Sequence, residues 1–240
     1  MTTQLYLIRH GEATSQVHQF LRDDGLTELG VRQAEHLRDR LIATREIQAD
    51  VVIASTLPRA RQTAEIIAPA FELPIIFDDE VQEMLEGEAH GLTYDEYHER
   101  YGPGPDFLHQ PFKPIAPGGE NWPSFALRVA TALERITQEH AGKSIVIVCH
   151  GGVIDNSFAY FFRYSTFAMP PAHFFTQNTS ITQWREDEHN GTSFWRLIRY
   201  NDNMHVRGLE TDTFIPWEQL PLPKRKRYQV DQPDEPASEQ

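Results

Sequence analysis

Arg9-His10-Gly11-Glu12 and His150-Gly151-Gly152 each stand directly after a short apolar run. Leu5-Tyr6-Leu7-Ile8 precedes the first, and Ile145-Val146-Ile147-Val148-Cys149 precedes the second. Arg59 follows a third run, which begins at Val51 and ends in Ser55-Thr56-Leu57-Pro58. Apolar runs of this length, punctuated by glycine or proline, read as buried strands of a parallel sheet. In an open α/β sheet, ligands bind beyond the carboxyl ends of the strands. Two histidines and two arginines, distant in the chain, are therefore expected to meet at one sheet edge.

Such a cluster repels itself unless a dianion lies within it. A phosphate or phosphomonoester meets that need. Guanidinium forks match its oxygens, and nearby helix N-termini and glycine backbones add N–H donors. Clustered positive charge also disfavours the imidazolium form of His10. A neutral ring has a free lone pair and can attack phosphorus. Gly11 is expected to leave room for close approach of the substrate.

Strands and helices alternate along the chain in the way this arrangement needs. Leu5 to Arg9 is the first strand. Glu28 to Ala43 reads as a helix with Ala34, Leu37 and Leu41 on one face and Thr27 as N-cap. Pro58 suits a first helical turn, which puts Arg59 near a helix N-terminus. Pro74 to Phe77 is a short strand. Ser124 to His140 and Val153 to Phe162 read as helices, and Thr179 to Trp184 and Ser193 to Tyr200 as antiparallel strands. Residues 80–122, rich in glycine and proline, form a loop and helix insertion over the active site, with one helix from Thr93 to Tyr101. The expected fold is a three-layer α/β/α sandwich with a mostly parallel central sheet. One domain is expected over residues 1–220, with a disordered tail over 221–240.

The bulk composition narrows the function. A net charge of −13 argues against a nucleic-acid or anionic-membrane surface. The basic run Lys224-Arg225-Lys226-Arg227 is cancelled by the acidic residues after it and reads as solvated tail. The single cysteine, Cys149, allows no intrachain disulfide. With no apolar stretch near the ~20 residues of a membrane span and no basic secretory leader, a cytoplasmic protein is expected. The nine other histidines show no metal-ligand spacing, although His90 is placed to line the pocket. The aromatic set Phe158, Tyr160, Phe161, Phe162, Tyr164 and Phe167 reads as core or as the face of a homodimer. The sequons at Asn178 and Asn190 read as chance matches.

The motifs resemble those of the histidine phosphatase superfamily, the phosphoglycerate mutase-like proteins. Leu7-Ile8-Arg9-His10-Gly11-Glu12 carries the resemblance, with Leu26-Thr27-Glu28-Leu29-Gly30, Ser55-Thr56-Leu57-Pro58-Arg59-Ala60-Arg61-Gln62-Thr63-Ala64, Pro117-Gly118-Gly119-Glu120 and Val148-Cys149-His150-Gly151-Gly152. They fall in the family's order between residues 4 and 155. The resemblance implies that His10 is the phosphorylated nucleophile. It gives Arg9, Arg59 and His150 the phosphoryl oxygens, with Gly151 beside them. It also implies a glutamate general acid upstream of two spaced glycines. Glu83, before Gly87 and Gly91, has that spacing; Glu86 and Glu88 compete with it. Gln16 stands where many relatives carry a phosphate-binding asparagine, and the segment from Thr14 to Asp24 is shorter than usual. Arg61, two residues beyond Arg59, is expected to face away and form a surface ion pair. Cys149 is expected to be an inert core thiol, and Glu12 to orient a loop or cap a helix.

The implied activity is metal-free and cofactor-free hydrolysis of a small phosphorylated metabolite, releasing phosphate. A phosphoglycerate mutase uses the same pocket but returns the phosphoryl group to bound product. A non-catalytic phosphate- or phosphopeptide-binding module is the reading from another class.

Overall fold

The computed structural model describes residues 2–18, 21, 23–172 and 174–209. The expected tail and its basic run lie outside the described residues, as does the expected domain end at 220. The first compact unit comprises Met1–Leu209.

Six strands form one sheet in the order β3-β2-β4-β1-β5-β6. They are β1 (Gln4–Arg9), β2 (Val51–Ser55), β3 (Ile75–Asp78), β4 (Ser144–Cys149), β5 (Ile181–His189) and β6 (Thr192–Asp202). The first four are mutually parallel, and β5 and β6 add an antiparallel hairpin outside β1. The turn at Asn190-Gly191 uses positive φ at both residues, which asparagine and glycine tolerate.

Alternation along the strands sends apolar side chains to both faces. Tyr6, Ile8, Val52, Ala54, Val146 and Val148 pack with Leu37 and Leu41 of α2 (Glu28–Thr44) and with Ala60, Ala64 and Ile67 of α3 (Pro58–Ile67). Leu5, Leu7, Ile53, Ile145 and Ile147 pack on the other face. Their partners are Phe125, Val129 and Leu133 of α5 (Trp122–Glu139) and Val153, Ile154 and Phe158 of α6 (Gly151–Phe162). Helices on both faces make the three layers expected. Trp184 of β5 is fully buried, donates from its indole N–H to Ser157 Oγ, and meets Phe158, Phe161 and Phe162. The aromatic set therefore divides: Phe158 is core, while Phe162 and Phe167 are exposed.

Several boundaries differ from the expected ones. Helix α5 begins at Trp122, because Asn121 caps it by accepting from Ser124 N. Helix α6 begins at Gly151 rather than Val153, directly behind His150. Strands β5 and β6 run on to His189 and Asp202, past the apolar clusters that marked them, because the ladder continues through polar residues. The segment 80–122 holds α4 (Tyr94–Tyr101), capped by Thr93 and Glu96 in a reciprocal box, and a small core of its own around Ala89, Tyr97 and Ala116. A short helix α1 (Thr14–His18) follows the first motif.

No helix among the described residues is long and apolar enough to cross a membrane.

Helix α2 presses directly on the loop after β1. A Cβ on Gly30 would lie 2.0 Å from the Glu12 carbonyl oxygen, and a Cβ on Gly11 would lie 2.5 Å from the Gly30 oxygen. Both clashes are with backbone, which cannot swing aside. Gly11 is thus required by helix packing, not by substrate approach as expected. Glycine to alanine inside a helix normally gains up to ~1 kcal/mol. Gly30→Ala is expected instead to lose about 1–3 kcal/mol from overpacking, read as a lower urea midpoint, and to lower activity by displacing the loop that carries His10.

Candidate active site

The strand register brings the site together. Arg9 ends β1 opposite Cys149, the last residue of β4, and Ala54 of β2 lies opposite Val148. His10 and His150, which follow, therefore leave the sheet side by side, and Ser55, the last residue of β2, stands one residue past Ala54 on the neighbouring strand. The two imidazole rings lie 5.1 Å apart, centroid to centroid, and both are buried.

His10 Nδ1 lies 2.7 Å from the Gly11 carbonyl oxygen. A carbonyl only accepts, so Nδ1 carries the proton and Nε2 presents its lone pair. Arg59 Nε donates to that Nε2 at 3.1 Å. Burial first, then the charges of Arg59 and Arg9, push the His10 pKa well below its ordinary value. The same forces act on His150, again led by burial. His150 Nε2 is 2.7 Å from Ser55 Oγ, while its Nδ1 is buried without a partner. Arg9 donates from one terminal nitrogen to the Thr176 carbonyl, and its Nε is also buried without a partner. The Cα of Gly151, at the start of α6, abuts the Arg9 guanidinium, since a Cβ there would stand 3.7 Å from Arg9 Nε. The two unpartnered nitrogens and the guanidiniums suit a phosphoryl group.

Glu83 is held by backbone N–H groups. Its Oε2 accepts from Gly152 N at 3.1 Å, in the first turn of α6, and its Oε1 accepts from Met84 N at 3.1 Å. A Cβ on Gly152 would lie 2.3 Å from Glu83 Oε1, so this glycine makes the seat for the carboxylate. Glu83 also acts electrostatically on Arg9, opposing the lowering of its pKa by burial. Its competitors have other partners: Glu86 pairs with His90 at 3.4 Å, and Glu88 accepts from the Tyr101 hydroxyl.

A cavity of about 180 Å³ opens beside Arg59. Gln16 lines it, as does the expected His90, with Glu86 and Tyr94 from the 80–122 segment and Asp23 and Leu57 from the opposite rim. Gln16 uses its Oε1 on Ala13 N and on Asn178 Nδ2. Arg61 faces outward and pairs with Glu65 at 2.9 Å. Cys149 is a buried free thiol whose pKa burial drives far up. Glu12 accepts from the Thr27 hydroxyl at 2.8 Å and so fixes the cap of α2.

Sequence reading missed three groups. Asp23 Oδ2 accepts from Arg59 at 2.8 Å in a nearly buried pair, so the cationic cluster is already partly neutralised. Thr176 supplies the carbonyl for Arg9. Asn178, read as a chance sequon, donates from Nδ2 to the His10 carbonyl at 2.9 Å. Thr179, next to it, sits at φ 56° and gives its N–H to the Arg9 carbonyl. A β-branched residue at positive φ is strained, and these ties to Arg9 and His10 hold it there.

The chain belongs to the histidine phosphatase superfamily (branch 1), which it matches over residues 5–203. It is an enzyme of the phosphoglycerate mutase-like type. It is 32% identical over 159 residues to the metal-independent phosphoserine phosphatase of Arabidopsis thaliana, covering 63% of this chain and 66% of that protein. It is 30% identical over 162 residues to a 2,3-bisphosphoglycerate-dependent phosphoglycerate mutase of Methylobacterium, covering 63% and 76%. Among solved structures it is similar to Bacillus stearothermophilus YhfR, with a TM-score of 0.68 at 28% identity over 85% of this chain and 99% of that one.

Buried neutral imidazoles couple stability to pH. His10 and His150 are both depressed, and His205 is lowered to about 4, chiefly by burial and then by Arg40. Unfolding below pH 6.5 lets all three take up protons. Asp155 runs the other way: burial, then Glu83, raise it to about 7, so it releases a proton on unfolding. The net uptake is about two protons near pH 5, and stability rises with pH where the unfolded chain binds more protons. Unfolding free energy, measured by urea titration, is expected to be fully present above pH 7. It should fall by about 2–3 kcal/mol per unit between pH 6 and 5. An unchanged urea midpoint across that interval would contradict the neutral-imidazole assignment.

Proposed function

We propose that the chain hydrolyses a small phosphomonoester in two displacement steps, with His10 as nucleophile, Glu83 as proton donor and acceptor, and the cytoplasm as its compartment. The observation that carries this reading is the His10 tautomer. The lone pair of Nε2 lies among Arg59, Arg9 and His150, while Gly11 keeps the proton on the far nitrogen.

In the first step Arg59 Nε leaves His10 Nε2 for a phosphoryl oxygen. The lone pair then forms the N–P bond as the P–O bond to the leaving group breaks. Glu83, protonated, delivers its proton to the departing oxygen. The phosphohistidine is cationic at the ring, and the Gly11 carbonyl on Nδ1–H favours that state. Arg9, Arg59 and His150 hold the phosphoryl oxygens as charge builds on them. In the second step water attacks phosphorus and gives its proton to the Glu83 carboxylate. The N–P bond breaks, its electron pair returns to Nε2, and inorganic phosphate leaves. Every group in this sequence comes from the chain, so no metal or organic cofactor is invoked.

Hydrolysis is favoured over phosphoryl return by the short rim after His10. Helix α1 has five residues, and the chain has already reached α2 at Glu28. A mutase must shield its phosphohistidine from water, and a short segment after His10 leaves less chain to do so. Retention of both nucleophile and acid argues against a binding module.

Wild type should release phosphate from p-nitrophenyl phosphate in a metal-free buffer, and His10→Ala should lose on the order of 10⁴-fold or more. Acid-labile, base-stable label on the wild type after quenching would mark the phosphohistidine. Equal turnover by both proteins rules out His10, and interconversion of phosphoglycerates without phosphate release replaces hydrolysis by the mutase reading.

A further inference from the structure

We propose that Arg128, locked by Glu120, is the positioning residue for the general acid. It would fix the backbone of the Glu83 segment, so that acid catalysis depends on a side chain that never touches substrate. The inference rests on the assignment of Glu83 as the acid.

Arg128 lies on α5, and all five of its N–H donors are used. One terminal nitrogen donates to the carbonyls of Glu80 at 2.9 Å and Gln82 at 3.0 Å. The other donates to the Glu83 carbonyl at 3.1 Å and to Glu120 Oε2 at 2.6 Å. Nε donates to Glu120 Oε1 at 2.7 Å. Three carbonyls of one segment thus converge on a single guanidinium whose orientation is set by a two-point carboxylate pair. Glu120 then closes the segment from the other side: its Oε2 accepts from Leu85 N, and its own N–H donates to the Leu85 carbonyl, both at 2.9 Å. Residues 80, 82, 83 and 85 are tied to one ion pair, and Glu83 lies inside the tied stretch.

The same guanidinium also refers the segment to the place where the carboxylate sits. Arg128 lies over the Phe125 ring at 5.1 Å. That ring bears on Gly152, where a Cβ would come within 2.8 Å of it. Gly152 N is the donor that holds Glu83 Oε2. Loop and helix start are therefore aligned through one residue. Segment 80–85 is otherwise a short 3₁₀ turn and a run without regular structure, so its own ladder bonds cannot supply this precision. Misplacement of a catalytic group by about 1 Å costs on the order of 10²-fold. Lysine has three donors on a single nitrogen and no fork, so it cannot reproduce five directed bonds.

A merely stabilising arginine and a positioning one differ in which substrates suffer. p-Nitrophenolate departs without a proton, whereas an alkyl alkoxide needs one. The test compares kcat/KM, which reports the phosphorylation step, for p-nitrophenyl phosphate and glycerol 2-phosphate in wild type, Glu83→Gln, Arg128→Lys and Glu120→Gln. Melting temperatures are recorded alongside. Glu83→Gln should lose about 10²-fold or more on glycerol 2-phosphate and only a few-fold on p-nitrophenyl phosphate. Arg128→Lys should show the same selective loss of about 10²-fold, and Glu120→Gln, which keeps the three carbonyl contacts, about 10-fold. If Arg128→Lys melts below the assay temperature, Glu120→Gln carries the comparison. Selective loss in Glu83→Gln with equal or no loss on the two substrates in the clamp variants overturns the positioning role alone. A non-selective loss in Glu83→Gln overturns the acid assignment and the clamp with it.

Discussion

Everything at this site depends on keeping two imidazoles neutral while they are buried against two guanidiniums. Burial of a charge is expensive, and a like charge nearby makes it more so. Both costs fall on the protonated ring, and both therefore favour the form that has a lone pair to give. The fold meets this condition by register. Because β4 is inserted between β1 and β2, His10 and His150 emerge beside Ser55, the last residue of β2, and no side chain has to reach across the sheet.

The guanidiniums are made tolerable by different means. Arg59 is paired with Asp23, and Arg9 with the Thr176 carbonyl. Neither compensation is the full dianion that the cluster can accommodate. Asp23 in particular offers one charge where a phosphoryl group offers two, and it leaves Arg59 Nε resting on His10 Nε2. That contact occupies the Nε2 lone pair. The site is thus stable as a fold and still biased toward an incoming phosphate.

How much of this could be read from residues alone follows from where each group sits. His10, His150 and Arg59 stand at strand ends or a helix start, and apolar runs mark those places directly. The two-faced core was legible for the same reason. Asp23, Thr176 and Asn178 lie on irregular segments with no periodicity, and their partners are up to 168 residues away. Gly11 shows a subtler failure. A glycine beside a nucleophile suggests room for a ligand, yet here it makes room for the backbone at Gly30, a contact between segments that only packing reveals. The strand ends were misjudged where hydrogen-bonded ladders outlast the apolar pattern.

Glu83 differs in kind from the strand-end residues. Its segment has no sheet to hold it, and spacing alone distinguished it from Glu86 and Glu88. What separates them physically is the seat: of the three, Glu83 accepts from the first turn of α6. In the proposed reaction the Glu83 carboxyl has to remain near the leaving oxygen in both steps, and the two backbone N–H groups fix its place. His10 is therefore positioned by the sheet, and Glu83 by a loop anchored to a helix. Substitutions that loosen the loop should leave the surroundings of His10 intact, so the two halves of the site can fail separately.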